Sequence, residues 1–93
     1  MQKIVINSCH GGFGLSELAS NHYRALAGIP LAEFRWEIAR DDPHLVQTVE
    51  QLGELANTRY SELKVVEVPD GVSWTIHEYD GCEWVAETHR TWS

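Results

Sequence analysis

Positive charge is scarce in this chain: seven Lys and Arg stand against fourteen Asp and Glu, for a net charge of −7. The cations Lys3, Arg24, Arg35, Arg40, Arg59, Lys64 and Arg90 form no run. Proteins that hold duplex DNA or RNA neutralise phosphates with a basic patch, so bulk nucleic acid is not an expected partner unless the chain mimics it. A single small anion is not excluded, because one or two Arg with a few backbone N–H groups hold a phosphate. Long apolar runs are also missing, and every stretch falls far short of the roughly 20 residues that span a bilayer. The start of the chain enters Lys3-Ile4-Val5-Ile6, too short an apolar segment for a signal peptide. The expectation is a cytoplasmic protein without a membrane partner. Cysteine occurs only at Cys9 and Cys82, in neither CxxC nor zinc spacing. Two free, half-buried thiols in a reducing compartment are expected, and a disulfide between them stays open. Repeats, low-complexity tracts and linkers are absent.

What is present is ordinary globular composition, 43% hydrophobic and 23% charged over 93 residues. That length makes residues 1–93 one domain, able to bury a core for one sheet and two helices. Lys3 to Asn7 reads as a buried strand with three β-branched residues in a row. Ser16 is an N-cap with Glu17 in the first turn, and Leu15, Leu18, Ala19, His22 or Tyr23, and Leu26 recur at helical spacing. Gly28 then stops a helix over about 17–27. Ala32 to Ala39 alternates, with Phe34, Trp36 and Ile38 on one side, and reads as a half-buried strand.

Asp42-Pro43 starts a second helix, Asp as N-cap and Pro at its first position. Leu45, Val46, Val49, Leu52 and Ala56 mark its buried face. Gly53 lies inside that helix, where close packing on a neighbour would offset its cost of about 1 kcal/mol, and Asn57 is a left-handed terminus. Leu63 to Val68 is a third strand, Pro69-Asp70-Gly71 a turn, and Val72 to His77 a fourth strand. Asp80-Gly81 signals a hairpin, after which Cys82 to Thr88 returns as a fifth strand or forms a short helix. The order β–α–β–α–β–β–β predicts an α+β fold: a small single domain with a mostly antiparallel sheet of about five strands and two helices. Four Trp in so short a chain point to self-association, since Trp is enriched at interfaces.

Five features invite a chemical reading. The strand–loop–helix at Asn7 to Ser16 carries Gly11, Gly12 and Gly14, which let backbone amides approach an anion. The pattern matches neither GxGxxG nor GxxxxGK[ST] and names no cofactor; equally it is a tight turn that lets Phe13 pack inward. Cys9-His10 are adjacent, and adjacent side chains on extended backbone point apart, which disfavours a catalytic dyad. His10, His22, His44, His77 and His89 fall into no ligand spacing, so no metal is expected. Arg40-Asp41-Asp42 and Asn57-Thr58-Arg59 flank the second helix. Arg40 or Arg59 pairs with a phosphate, or else with neighbouring carboxylates and the helix dipole. Finally, Arg90 and Trp92 near the end of the chain can sandwich a base.

Several segments together resemble a known family: Lys3-Ile4-Val5-Ile6-Asn7, Gly11-Gly12-Phe13-Gly14-Leu15-Ser16, Arg40-Asp41-Asp42-Pro43, Leu52-Gly53-Glu54, Leu63 to Asp70, Glu78-Tyr79-Asp80-Gly81 and His89-Arg90-Thr91-Trp92. The likeness spans nearly the whole chain outside roughly residues 20–35. The chain resembles the phage anti-Thoeris proteins of the first type, oligomeric sponges for cyclic ADP-ribose isomers that some members extend to cyclic oligonucleotides. The resemblance implies a ligand pocket at a subunit contact, built from an aromatic ring, an Asn-type side chain and Arg near the second helix. The matching positions are Phe34 or Trp36, Asp41 and Arg59; Asp41 departs from the Asn-type pattern.

The resulting expectation is a phage-encoded anti-defence protein in the host bacterial cytoplasm, which sequesters a cyclic nucleotide signal without cleaving it. It would be no enzyme, need no cofactor, and assemble as a homo-oligomer, a dimer or a hexamer built of dimers. The ligand-binding candidates are Gly11, Gly12, Phe13, Phe34, Trp36, Arg40, Asp41, Arg59 and Arg90. The alternatives are a protein-interaction inhibitor of a host enzyme and a small nucleotide hydrolase using Cys9, His10 and His89.

Overall fold

A computed structural model describes residues 1–30 and 38–87. Phe34, Trp36 and Arg90, and most of the strand expected over Ala32 to Ala39, lie outside the described residues. The elements run β1 (Gln2–Asn7), α1 (Glu17–Ala27), α2 (Pro43–Leu52), a 3₁₀ turn (Gly53–Ala56), β2 (Leu63–Val68), β3 (Trp74–Tyr79) and β4 (Cys82–Glu87).

Strand β1 has a reason to carry Ile4-Val5-Ile6 without interruption. Its side chains alternate between two cores, because a strand presents successive residues to opposite faces. Val5 packs with Leu15, Ala19, Tyr23, Leu45, Val46, Val49 and Ala56 from the helical side. Ile4 and Ile6 pack with Val68, and behind them lie Val72, Trp74, Ile76 and Val85 of the second hairpin. The β1–β2 ribbon is thus the middle layer between the helix pair and β3–β4.

The α+β class and two helices stand, but the single sheet of about five strands does not. Among the described residues there are four strands in two antiparallel pairs, β1–β2 and β3–β4. In the first pair Gln2 opposes Val68 and Asn7 opposes Leu63; in the second Trp74 opposes Glu87 and Tyr79 opposes Cys82. The cause of the break lies between β2 and β3. The Gln2 side-chain amide donates to the carbonyls of Pro69 and Val72, 2.9 Å each, and accepts from the Trp74 indole at 3.1 Å. Val72 N–H turns back to the Pro69 carbonyl at 3.3 Å. The backbone groups around the bend are engaged there, so the chain crosses to the other layer and β3 begins at Trp74, two residues after the expected Val72.

Local signals set the helix ends. Ser16 Oγ accepts from Ala19 N–H at 3.1 Å, and the Gly28 N–H reaches back to Arg24. Leu18, placed on the buried stripe by its spacing, is half exposed. Asp42 Oδ1 accepts from His44 and Leu45 N–H, as an N-cap should. The second helix is shorter than its apolar spacing predicted and stops at Leu52. Gly53 sits at φ +55°, ψ −128°, where L side chains rarely go. A Cβ there would touch nothing, so backbone conformation and not tight packing explains this glycine. Asn57 is extended rather than left-handed, and its Oδ1 accepts from Leu63 N–H at 2.7 Å. The Asp80-Gly81 turn has φ of +51° and +88°, the geometry that suits a tight hairpin.

Tyr23 joins the two helices: its ring is buried and its hydroxyl donates to Asp42 Oδ2 at 2.9 Å. Burial first, then the hydrogen bond and charge of Asp42, push its pKa from 10.0 up to about 12. Tyr23→Phe should cost about 1 kcal/mol near neutral pH, read by denaturant unfolding. A raised folded pKa means that Tyr23 stabilises below the unfolded value of 10.0 and loses that contribution as pH climbs to about 12. The gap between wild type and Tyr23→Phe should therefore narrow across that window; a constant gap would refute the assignment.

Candidate functional site

Asn7 is fully buried at the end of β1 and organises the loop that follows. Its Nδ2 donates to the carbonyls of Cys9 (2.6 Å) and Gly81 (2.8 Å). Its Oδ1 accepts from Glu62 N–H at 2.8 Å and from the Cys9 thiol at 3.4 Å. Its backbone N–H donates to Glu83 Oε1 at 2.8 Å. One side chain and its own amide thus join the glycine loop, the segment before β2, and β4.

Glu83 is buried and is held by more than this amide. Arg40 donates to it bidentately, Nη1 to Oε1 at 2.6 Å and Nη2 to Oε2 at 2.9 Å. The Arg40 backbone carbonyl accepts from Val5 N–H at 2.8 Å. Its guanidinium carbon lies 3.6 Å from the centre of the Phe13 ring, close enough for cation–π attraction. Sequence reasoning singled out Arg40 and Phe13, and the structure brings them together. The fork of Arg40 is spent on Glu83, and Asp41 beside it is exposed.

Gly11 is spent on close approach to other backbone, whereas a Cβ on Gly12, at φ +94°, would touch nothing and one on Gly14 would make only ordinary contact with Thr58. A Cβ on Gly11 would fall 1.7 Å from the Tyr60 carbonyl oxygen. One on Gly81 would meet Gly12 N and His10 O at 2.7 Å. The loop therefore lies between the Tyr60 segment and the β3–β4 turn.

Arg59 is placed differently. It borders a cleft of about 660 Å³ lined by Cys9, Gly53, Glu54, Asn57, Thr58, Arg59, Ser61, Glu62 and Leu63. Gly11, Gly12, Phe13, Arg40 and Asp41 do not line it. Arg59 is exposed, and its guanidinium carbon stands 5.9 Å from the exposed Tyr60 ring. Among the described residues no carboxylate forms an ion pair with it. The loop beneath is tied by hydrogen bonds: Ser61 Oγ accepts from Thr58 N–H and Oγ1 and donates to the Gly14 carbonyl, while Tyr60 N–H donates to Thr58 Oγ1. The acidic residues Glu54 and Glu62 also line this cleft, and carboxylates accept from hydroxyls and amines. Among the described residues no group of three or more His, Cys, Asp or Glu could hold a metal ion.

Asn7, Glu83 and Tyr60 escaped the sequence reading as site-builders. The signal for Glu83 was present: alternation along β4 puts it on the same face as Val85, an inward position where a carboxylate requires a cation.

Removing the Glu83 carboxylate leaves Arg40 half buried and unpaired, so Glu83→Ala should lower stability by about 3 kcal/mol, read by urea unfolding. A loss under about 0.5 kcal/mol, typical of surface sites, would show the pair to be incidental. Gly11→Ala must displace the Tyr60 backbone, and should cost about 2 kcal/mol or more and shift the Tyr60 amide resonance. No family model, curated protein or solved structure matches this chain.

Proposed function

We propose that the chain is a non-enzymatic binder of a small phosphorylated nucleotide, held at the Arg59 cleft and released intact. The observation that carries this reading is the pairing state of the two arginines. Arg40 is occupied by Glu83, whereas Arg59 presents a guanidinium without an acidic partner among the described residues, beside an aromatic face and a cleft of about 660 Å³. That volume suits a nucleotide-sized molecule. A guanidinium supplies bidentate donors for a phosphate, and Tyr60 a face for a base or ribose. Glu54 and Glu62 would accept from ribose hydroxyls or an exocyclic amine.

The resemblance to first-type anti-Thoeris proteins supplies the ligand class: a cyclic ADP-ribose isomer, or a cyclic oligonucleotide, sequestered as a phage counter to bacterial immune signalling in the host cytoplasm. The expected homo-oligomer belongs to the same proposal, since a pocket open on one subunit gains enclosure at a contact and lowers ordering costs. No helix among the described residues is long and apolar enough to cross a membrane.

One observation favours a second reading, inhibition of a host enzyme by docking. The outer face of β3–β4 exposes Tyr79 and Trp84, with His77 stacked on Trp84 at 5.8 Å. Retention of a host protein that Trp84→Ala abolishes, with no nucleotide bound, would favour it.

The binding reading is tested by mixing the protein with a cyclic ADP-ribose isomer, removing free ligand, denaturing by heat and analysing the supernatant. Unchanged ligand is expected. Arg59→Ala should weaken retention at least about tenfold while the melting temperature stays within about 3 °C. A cleaved product, or no retention by wild type at micromolar ligand, would sink the proposal.

A further inference from the structure

We propose that Cys9 and Cys82 are a redox pair that closes to an intramolecular disulfide, bolting the loop after β1 to the β3–β4 hairpin. The two thiols are far apart in sequence, and the fold sets their backbones side by side. Asn7 Nδ2 holds the carbonyl of Cys9 at 2.6 Å and that of Gly81, the peptide leading into Cys82, at 2.8 Å. The Cys82 thiol points at the Ser8 carbonyl, 3.6 Å away, on the peptide leading into Cys9. The His10 ring meets Tyr79 edge-on at 6.5 Å, and Tyr79 is the register partner of Cys82. Gly81 lies against His10 and Gly12 so closely that a Cβ there would collide with both.

Backbones in such contact bring the α-carbons toward the short range that a disulfide spans. Both cysteines are free and half buried. The single hydrogen of the Cys9 thiol is shared between the Tyr60 carbonyl at 3.2 Å and Asn7 Oδ1 at 3.4 Å. A turn about its Cα–Cβ bond exchanges that weak hydrogen bond for the sulfur of Cys82, with Asn7 keeping the two strands of backbone in place.

The chemistry requires a small disulfide oxidant such as oxidised glutathione. One protein thiolate attacks it, forms a mixed disulfide and releases one glutathione thiolate. The second protein thiolate attacks the protein sulfur of that mixed disulfide, forms the Cys9–Cys82 bond and releases the other glutathione. Two protein thiols lose two protons and two electrons, and the oxidant is reduced to two thiols. The product ties the loop after β1 directly to β4 and withdraws a thiol from the lining of the Arg59 cleft.

Native protein treated with oxidised glutathione should lose the mass of two hydrogens without an adduct, and proteolysis should yield one linked peptide pair. Cys9→Ser and Cys82→Ser should each stop at a single glutathione adduct. At a fixed glutathione concentration, the ratio of closed disulfide to singly modified protein should be at least about tenfold higher in the folded chain than in urea. Wild type that carries two adducts, links between chains, stays unmodified, or closes no better folded than unfolded would overturn the proposal. The mass readout is independent of nucleotide binding.

Discussion

Glu83 has been drawn out of water on β4, and its negative charge is tolerable only because Arg40 meets it with both prongs and the Asn7 amide adds a third donor. A buried ion pair often adds little net stability, since desolvation offsets attraction. Its larger effect is specificity: a β4 register slipped by one residue would turn Glu83 outward, strand Arg40 and drive Trp84 into the core position. The hairpin therefore docks in one register on the β1–β2 ribbon. With it come the Asn7 bonds to Gly81 and Cys9 and the position of the whole loop from Ser8 to Gly14.

From that constraint follows a division of labour among the arginines. Arg40, lying over Phe13 and against Glu83, is part of the scaffold. Arg59 rides on a short loop held by Thr58 and Ser61 and keeps its guanidinium toward solvent. A cation on a hydrogen-bonded loop would lose little freedom on meeting an anion, which is what the proposed binding at Arg59 calls for. A net charge of −7 disfavours long-range attraction of polyanions.

Much of the fold was legible because its signals are local. Ser16, Gly28 and Asp42-Pro43 bound the helices where their chemistry requires, and Asp80-Gly81 makes the hairpin. Three positions misled for identifiable reasons. Gly53 and Asn57 sit in a pattern whose apolar spacing runs on to Ala56, but periodicity cannot show that the backbone changes hand at Gly53. Leu18 fits the helical stripe, but its neighbour Leu15 already fills the core side. The shared sheet failed on Gln2, whose amide engages the carbonyls on both sides of the bend, a contact between the two ends of a long stretch of chain.

By itself the sequence determined the class of fold, both helix starts and the end of the first helix, the turn chemistry and the lack of any run of cations, because each depends on residues within a few positions or on bulk composition. Only the tertiary structure decided that the described strands form two ribbons instead of one sheet, that Arg40 is bound inward by Glu83 while Arg59 faces a cleft, and that the Cys82 thiol meets the Ser8 carbonyl. Those outcomes depend on contacts between residues dozens of positions apart, and a linear pattern carries no distance between such residues until the core has brought them together.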